Sequence, residues 1–159
     1  MATNYEFNTA SYSVEDVSDR FCAALGLERA KPLAPSPISS ASWWASVARM
    51  NSNEFKDEGA RLGASDAYTS ITFEPRKTLA WEQETAGLLR IIETAVGLLS
   101  ASPDTSGFLE FYDEIIVLEK RKGSGIVVDP RLVDPDDLDD QHVFRSALQR
   151  FPVAPIEQF

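Results

Sequence analysis

At 159 residues, with 43% apolar and 25% charged residues, the chain is long enough for one domain with its own core and too short for two ordinary ones. A net charge of −10 argues against nucleic acid or an anionic membrane as direct partner, since both would repel it, and admits a basic protein whose approach the field would speed. No apolar run is long enough to span a bilayer, the N-terminus lacks the pattern of a secretory signal, and the single cysteine, Cys22, cannot form an internal disulfide, which together predict a cytoplasmic protein.

Tyr5-Glu6-Phe7 reads as a short strand. Ser13 is placed to cap a helix, with Asp16 completing an approximate capping box. Val14, Val17, Phe21, Ala24 and Leu25 share one face of that helix, and Gly26 is placed to end it. Residues 30–42, AKPLAPSPISSAS, hold three prolines and four serines and predict a surface loop or extended connector. Trp43 to Met50 fits a strand or a helix; the β-branched and aromatic run Tyr68–Glu74 a loop away favours a strand. NEFKDEGARLGAS between the two predicts a helical turn and a loop, and Pro75 closes the second strand.

The organising stretch follows. Trp81, Thr85, Leu88, Ile92, Ala95 and Leu99 recur in steps of four and three on one side of a long helix, widened by Leu89, Ile91, Val96 and Leu98. Phe108–Tyr112, a turn at Asp113-Glu114, Ile115–Arg121, a glycine turn over Lys122–Gly125, and Ile126–Val128 then predict a meander. The acidic segment Asp129–Asp140 carries six aspartates against one arginine, half of the net charge. Asp134-Pro135 fits a helix start, and Val143, Phe144, Ala147, Leu148 and Phe151 predict a terminal helix ending before Pro152. The predicted fold is α+β: an antiparallel sheet of about five or six strands with the long helix on one face and helices near each end, as a single domain over 1–159.

No catalytic constellation stands out. Counted as an EF-hand from Asp134, the acidic segment puts Leu138 at the fifth position, Asp139 where glycine is required and Arg145 where a bidentate Glu belongs. The only histidine, His142, sits in no nucleophile or zinc motif, and Gly123-Ser124-Gly125 lacks the lysine and helix of a phosphate loop. These absences predict a non-enzymatic protein with no metal or cofactor. For Asp129, Asp134, Asp136, Asp137, Asp139 and Asp140 two readings stay open, helix capping with solvated surface, or a patch that contacts a protein partner. Trp43 and Trp44, adjacent in an extended segment, must point to opposite faces, so core packing and partner contact are both open for the pair.

The order of elements resembles the Sit-type (swarming-inhibition) immunity proteins of bacteria. The resemblance runs over roughly residues 3–129. It rests on an N-terminal strand in MATNYEFNTAS, a helix ending LGLE, the strand ITFEPRK with Phe73, Arg76 and Lys77, the long helix, and GFLEFYDEIIVLEKRKGSGIVVD. The Pro/Ser-rich loop and the aspartate-rich tail have no counterpart in it. The resemblance implies a cytoplasmic protein that binds and neutralises a cognate toxin passed between neighbouring cells, as a monomer in a one-to-one complex. An acidic inhibitor would suit a basic toxin, a nuclease among the candidates, by mimicking its substrate. A small secretion chaperone or adaptor that holds an effector segment is the alternative; it would be a dimer with an exposed apolar groove.

Overall fold

Tyr5, Phe7 and Thr9 alternate with Glu6 and Asn8, and this period-two pattern sends one set of side chains to each side of a strand. In the computed structural model, which describes residues 4–29, 38–40 and 42–159, that strand, β1 (Tyr5–Thr9), lies inside the sheet between two partners far away in sequence. They are β5 (Ala67–Pro75), with Phe7 opposite Ile71, and β6 (Gly107–Phe111), with Phe7 opposite Leu109. The full order is β2-β3-β4-β5-β1-β6-β7-β8, antiparallel at every step, where β4 is Trp43–Asn51, β7 Ile115–Lys120 and β8 Ile126–Val128. Six of these strands have three residues or more, as expected. The other two, β2 (Glu28–Arg29) and β3 (Ile38–Ser39), are two-residue edge pairings too short to show any period.

Two helices cover one face. α1 (Val14–Leu25) begins at Ser13, whose hydroxyl accepts from the Asp16 N–H, and ends at Gly26 in the left-handed conformation, where glycine carries no Cβ penalty. α3 (Trp81–Leu99) brings down Leu88, Ile91, Ile92, Ala95 and Leu99 onto Phe7, Ala45, Val47, Ile71, Phe73 and Leu109, all buried in one cluster with Val17 and Phe21 of α1. At about 1.5–3 kcal/mol per large apolar side chain this layer is the main source of stability. α2 (Lys56–Leu62), the predicted helical turn, lies on the other face, where Leu62, Tyr68, Phe108, Ile116 and Ile156 form a second, smaller cluster. The C-terminal segment closes the β8 edge: the Val128 N–H donates to the Pro152 carbonyl and the Ala154 N–H to the Val128 carbonyl.

Three expectations are corrected. Trp81 is not on the buried face; it is 56% exposed, because as first residue of α3 its side chain points back past the helix end rather than down onto the sheet. The Pro/Ser-rich loop predicted over 30–42 lies largely outside the described residues, but Ile38–Ser39 within it is a strand. The terminal helix is a single turn, α4 (Phe144–Ala147), and Asp134-Pro135 does not start it. Asp129-Pro130 plays that part instead, for a 3-10 helix over Pro130–Val133 in which Asp129 accepts from the Arg131 N–H. The Asp-Pro signal for a helix start is local, and two such pairs five residues apart look alike in sequence.

Candidate functional site

The acidic segment divides by burial. Asp129 is 3% and Asp139 1% exposed, and both carboxylates serve the backbone. Asp129 accepts from the Arg131 N–H and Nε through Oδ1 (3.0 and 3.1 Å) and from the Ile156 N–H through Oδ2 (3.1 Å), tying the chain after β8 to the C-terminal segment. Burial opposes its charge, but these bonds and the Arg131 guanidinium outweigh it and hold the carboxyl below the usual range. Asp139 accepts from the Val143 and Phe144 N–H groups at 2.8 Å and from the Arg145 N–H at 3.0 Å, so it caps α4 from outside the helix. His142 beside it takes φ 59° and donates its N–H to the Asp139 carbonyl.

With Asp129 and Asp139 holding the ends, the backbone between them is fixed. Asp134, Asp136 and Asp137 are left exposed on it and Asp140 one residue past it; Asp134 Oδ1 accepts from the Asp136 N–H at 2.9 Å, and among the described residues none of the four makes an ion pair. Beside them is a groove of about 500 Å³ whose lining includes Val133, Leu148 and Phe151, with Asp134 and Arg145 among its polar residues. The loop rests on the helix side of the sheet, since Leu132, Phe144 and Leu148 belong to the main core.

The tryptophans point to opposite faces, as adjacent residues of a strand must. Trp43 is 3% exposed under α3 and edge-on to Tyr5, at 6.1 Å between ring centroids. Trp44 is half-buried on the far face, where it lines a surface pocket with Glu74, Pro75, Arg76, Lys77 and Thr78. Of the pair, only Trp44 is within reach of a partner.

That far face also holds a group the sequence does not announce. Glu6 and Glu110 face each other directly across β1 and β6, and Asp113 in the β6–β7 turn joins them, with one carboxylate oxygen of each lying within 4.8 Å of the others. The turn brings Asp113 in by taking φ 62° at Tyr112 and 55° at Asp113, and the Asn4 amide donates to Asp113 Oδ2 at 3.3 Å. Burial, then the negative charges of Glu6, Asp113 and Glu58, push the Glu110 carboxyl up to about 7, with Arg61 pulling weakly the other way. Glu6 is raised by burial, partly offset by the nearby Asn8 amide and by the Ser70 hydroxyl, which donates to it at 3.1 Å. Glu6 and Glu110 are simply the polar members of alternating strands; only the pairing of β1 with β6 makes them neighbours.

A pH dependence follows. Folded Glu110 keeps its proton up to about pH 7, whereas the unfolded chain gives it up near 4.5, so the folded state binds more protons between these values. Stability should therefore fall as pH rises from about 4.5 through 7 and stay reduced above. Urea unfolding in chelator-treated buffer checks this: Glu110→Gln should flatten the slope and stabilise the protein at pH 8 by about 1–2 kcal/mol, allowing for screening of a partly exposed group.

No described helix is long and apolar enough to cross a membrane. Comparison with known proteins finds no matching family model, no matching curated protein and no matching solved structure.

Proposed function

We propose that this chain is an immunity-type protein that binds a basic cognate toxin in the cytoplasm and neutralises it one-to-one, without catalysing a reaction itself. The observation that carries the reading is the loop of Asp134, Asp136, Asp137 and Asp140: four exposed carboxylates without an ion pair among the described residues, three of them on a backbone clamped by Asp129 and Asp139 and the fourth one residue past the second clamp. A fixed loop loses little conformational freedom on binding, and a concentrated negative field speeds the encounter with a basic surface. The apolar groove beside it supplies desolvated contact area next to the charge, the combination that stable interfaces use. Trp44, half-buried on the opposite face, lies apart from this contact.

The test is co-expression of this chain with the product of its adjacent gene. Capture of a one-to-one complex that relieves growth inhibition by that product is the expected result. Changing Asp134, Asp136, Asp137 and Asp140 together to Asn should lower the association rate at low salt about tenfold or more and flatten its salt dependence. An unchanged rate would remove the loop from the interface. Capture of an unfolded segment of a secreted neighbour, with no protection, would replace the immunity reading by that of a chaperone.

A further inference from the structure

We propose that Glu6, Glu110 and Asp113, together with the side-chain oxygen of Asn8, form a binding site for a calcium-sized divalent cation on the far face of the sheet. The proposal is independent of the toxin-binding reading, which rests on the loop across the sheet. Like charges placed directly opposite on neighbouring strands destabilise a sheet, and the β1–β6 register puts Glu6 against Glu110 while the turn adds Asp113 as a third. A cation held between them converts that repulsion into attraction.

Asn8 supplies the second, separate observation. It lies two residues along β1 on the same face as Glu6 and is 1% exposed, yet neither its Oδ1 nor its Nδ2 makes a hydrogen bond of ordinary geometry, although the amide is near enough to Glu6 to favour the charged carboxylate. A buried amide with neither polar atom in an ordinary hydrogen bond is costly, and because this one adjoins Glu6 its oxygen has a use when a metal is bound there. The donors are all oxygens, with no imidazole or thiolate, which selects a hard cation over zinc or copper. Calcium accepts carboxylate and amide oxygens in flexible geometry, whereas magnesium demands a near-ideal octahedron and keeps several of its waters, so a cluster of side-chain oxygens suits calcium better. Ser70 and Asn4 hold Glu6 and Asp113 from behind, at 3.1 and 3.3 Å, so two of the three ligands are already oriented.

The experiment is titration of the full-length, chelator-stripped protein with calcium chloride by calorimetry, with magnesium chloride as comparison and the melting temperature followed in parallel. One calcium per chain is expected, with a dissociation constant on the order of 10⁻⁴ to 10⁻³ M, magnesium weaker, and a rise in melting temperature with calcium. Glu110→Gln and Asp113→Asn should each weaken binding at least tenfold. Both are expected to fold, since the first removes a repulsive charge and the second is at an exposed turn. No heat and no thermal shift at several millimolar calcium would overturn the proposal. So would binding that survives both substitutions but disappears when Asp134, Asp136, Asp137 and Asp140 are changed to Asn, because that would be counter-ion uptake by the acidic loop.

Discussion

Asp139→Ala should cost about 2–4 kcal/mol of folding stability, and Asp140→Ala, one residue on, less than about 0.5 kcal/mol. Asp139 is 1% exposed and its two oxygens accept three backbone N–H groups, from Val143, Phe144 and Arg145. Alanine leaves these donors without a partner, and Phe144 is itself buried, so water cannot replace the carboxylate freely. Asp140 is exposed and accepts none of these bonds. Asp139→Asn should fall between, since an amide keeps one acceptor and turns a donor toward N–H groups that need an oxygen. Urea unfolding of the three variants checks the order, and equal losses for Asp139→Ala and Asp140→Ala would refute the capping role. In the same experiment hydrogen exchange at residues 143–148 should rise sharply for Asp139→Ala, because the single turn of α4 has little else to start it.

Gly87→Ala is the second large effect, and here helix propensity and packing point opposite ways. In the middle of an exposed helix alanine is favoured over glycine by roughly 1 kcal/mol. At this position a Cβ would lie 2.4 Å from Trp43 Nε1 and 2.6 Å from Trp43 Cζ2, inside the contact distance of any real pair. Trp43 is 3% exposed and edge-on to Tyr5, so its indole has no free direction in which to move. Overpacking of this kind typically costs 1–3 kcal/mol, occasionally more, and with a bulky indole it outweighs the propensity gain. The variant should be destabilised by about 1–3 kcal/mol, with a shift in tryptophan emission as α3 lifts off the indole. A Trp43→Phe partner change should recover part of the loss by opening space under Gly87, a coupling that a purely local helix effect would not produce.

Gly87 also illustrates what a sequence conceals. The apolar spacing of Leu88, Ile92, Ala95 and Leu99 announces α3 and its buried side, because a period of 3.6 residues is a property of neighbours along the chain. That α3 sits on Trp43, through a glycine 44 positions later, is a property of neighbours in space. Trp81 shows the converse error: its spacing matched the buried side, but position at the helix end decided its exposure. The acidic segment behaved likewise. Six aspartates of one type were legible as charge, yet burial sorted them into two that are enclosed and tie down backbone and four that are exposed. Asp139 lies where an EF-hand would require glycine, and its role as a three-fold acceptor depends on the chain folding back at His142 with φ 59°.

The carboxylate group on the far face was the least legible of all. Each of Glu6, Glu110 and Asp113 reads as an ordinary polar residue of a strand or turn, and no short-range spacing joins them. Local sequence by itself determined where the six longer strands and the helices α1 and α3 lie, which side of α1 and α3 is apolar, the Ser13 and Gly26 caps, and the negative field, since all of these depend on periodicity, short-range hydrogen bonds or summed charge. Only the tertiary structure decided that β1 would pair with β6, that Trp43 would be buried and Trp44 left half-buried on the far face, and which aspartates would be buried and which exposed. Those outcomes follow from sheet order and burial, which are fixed by contacts between segments far apart in the chain.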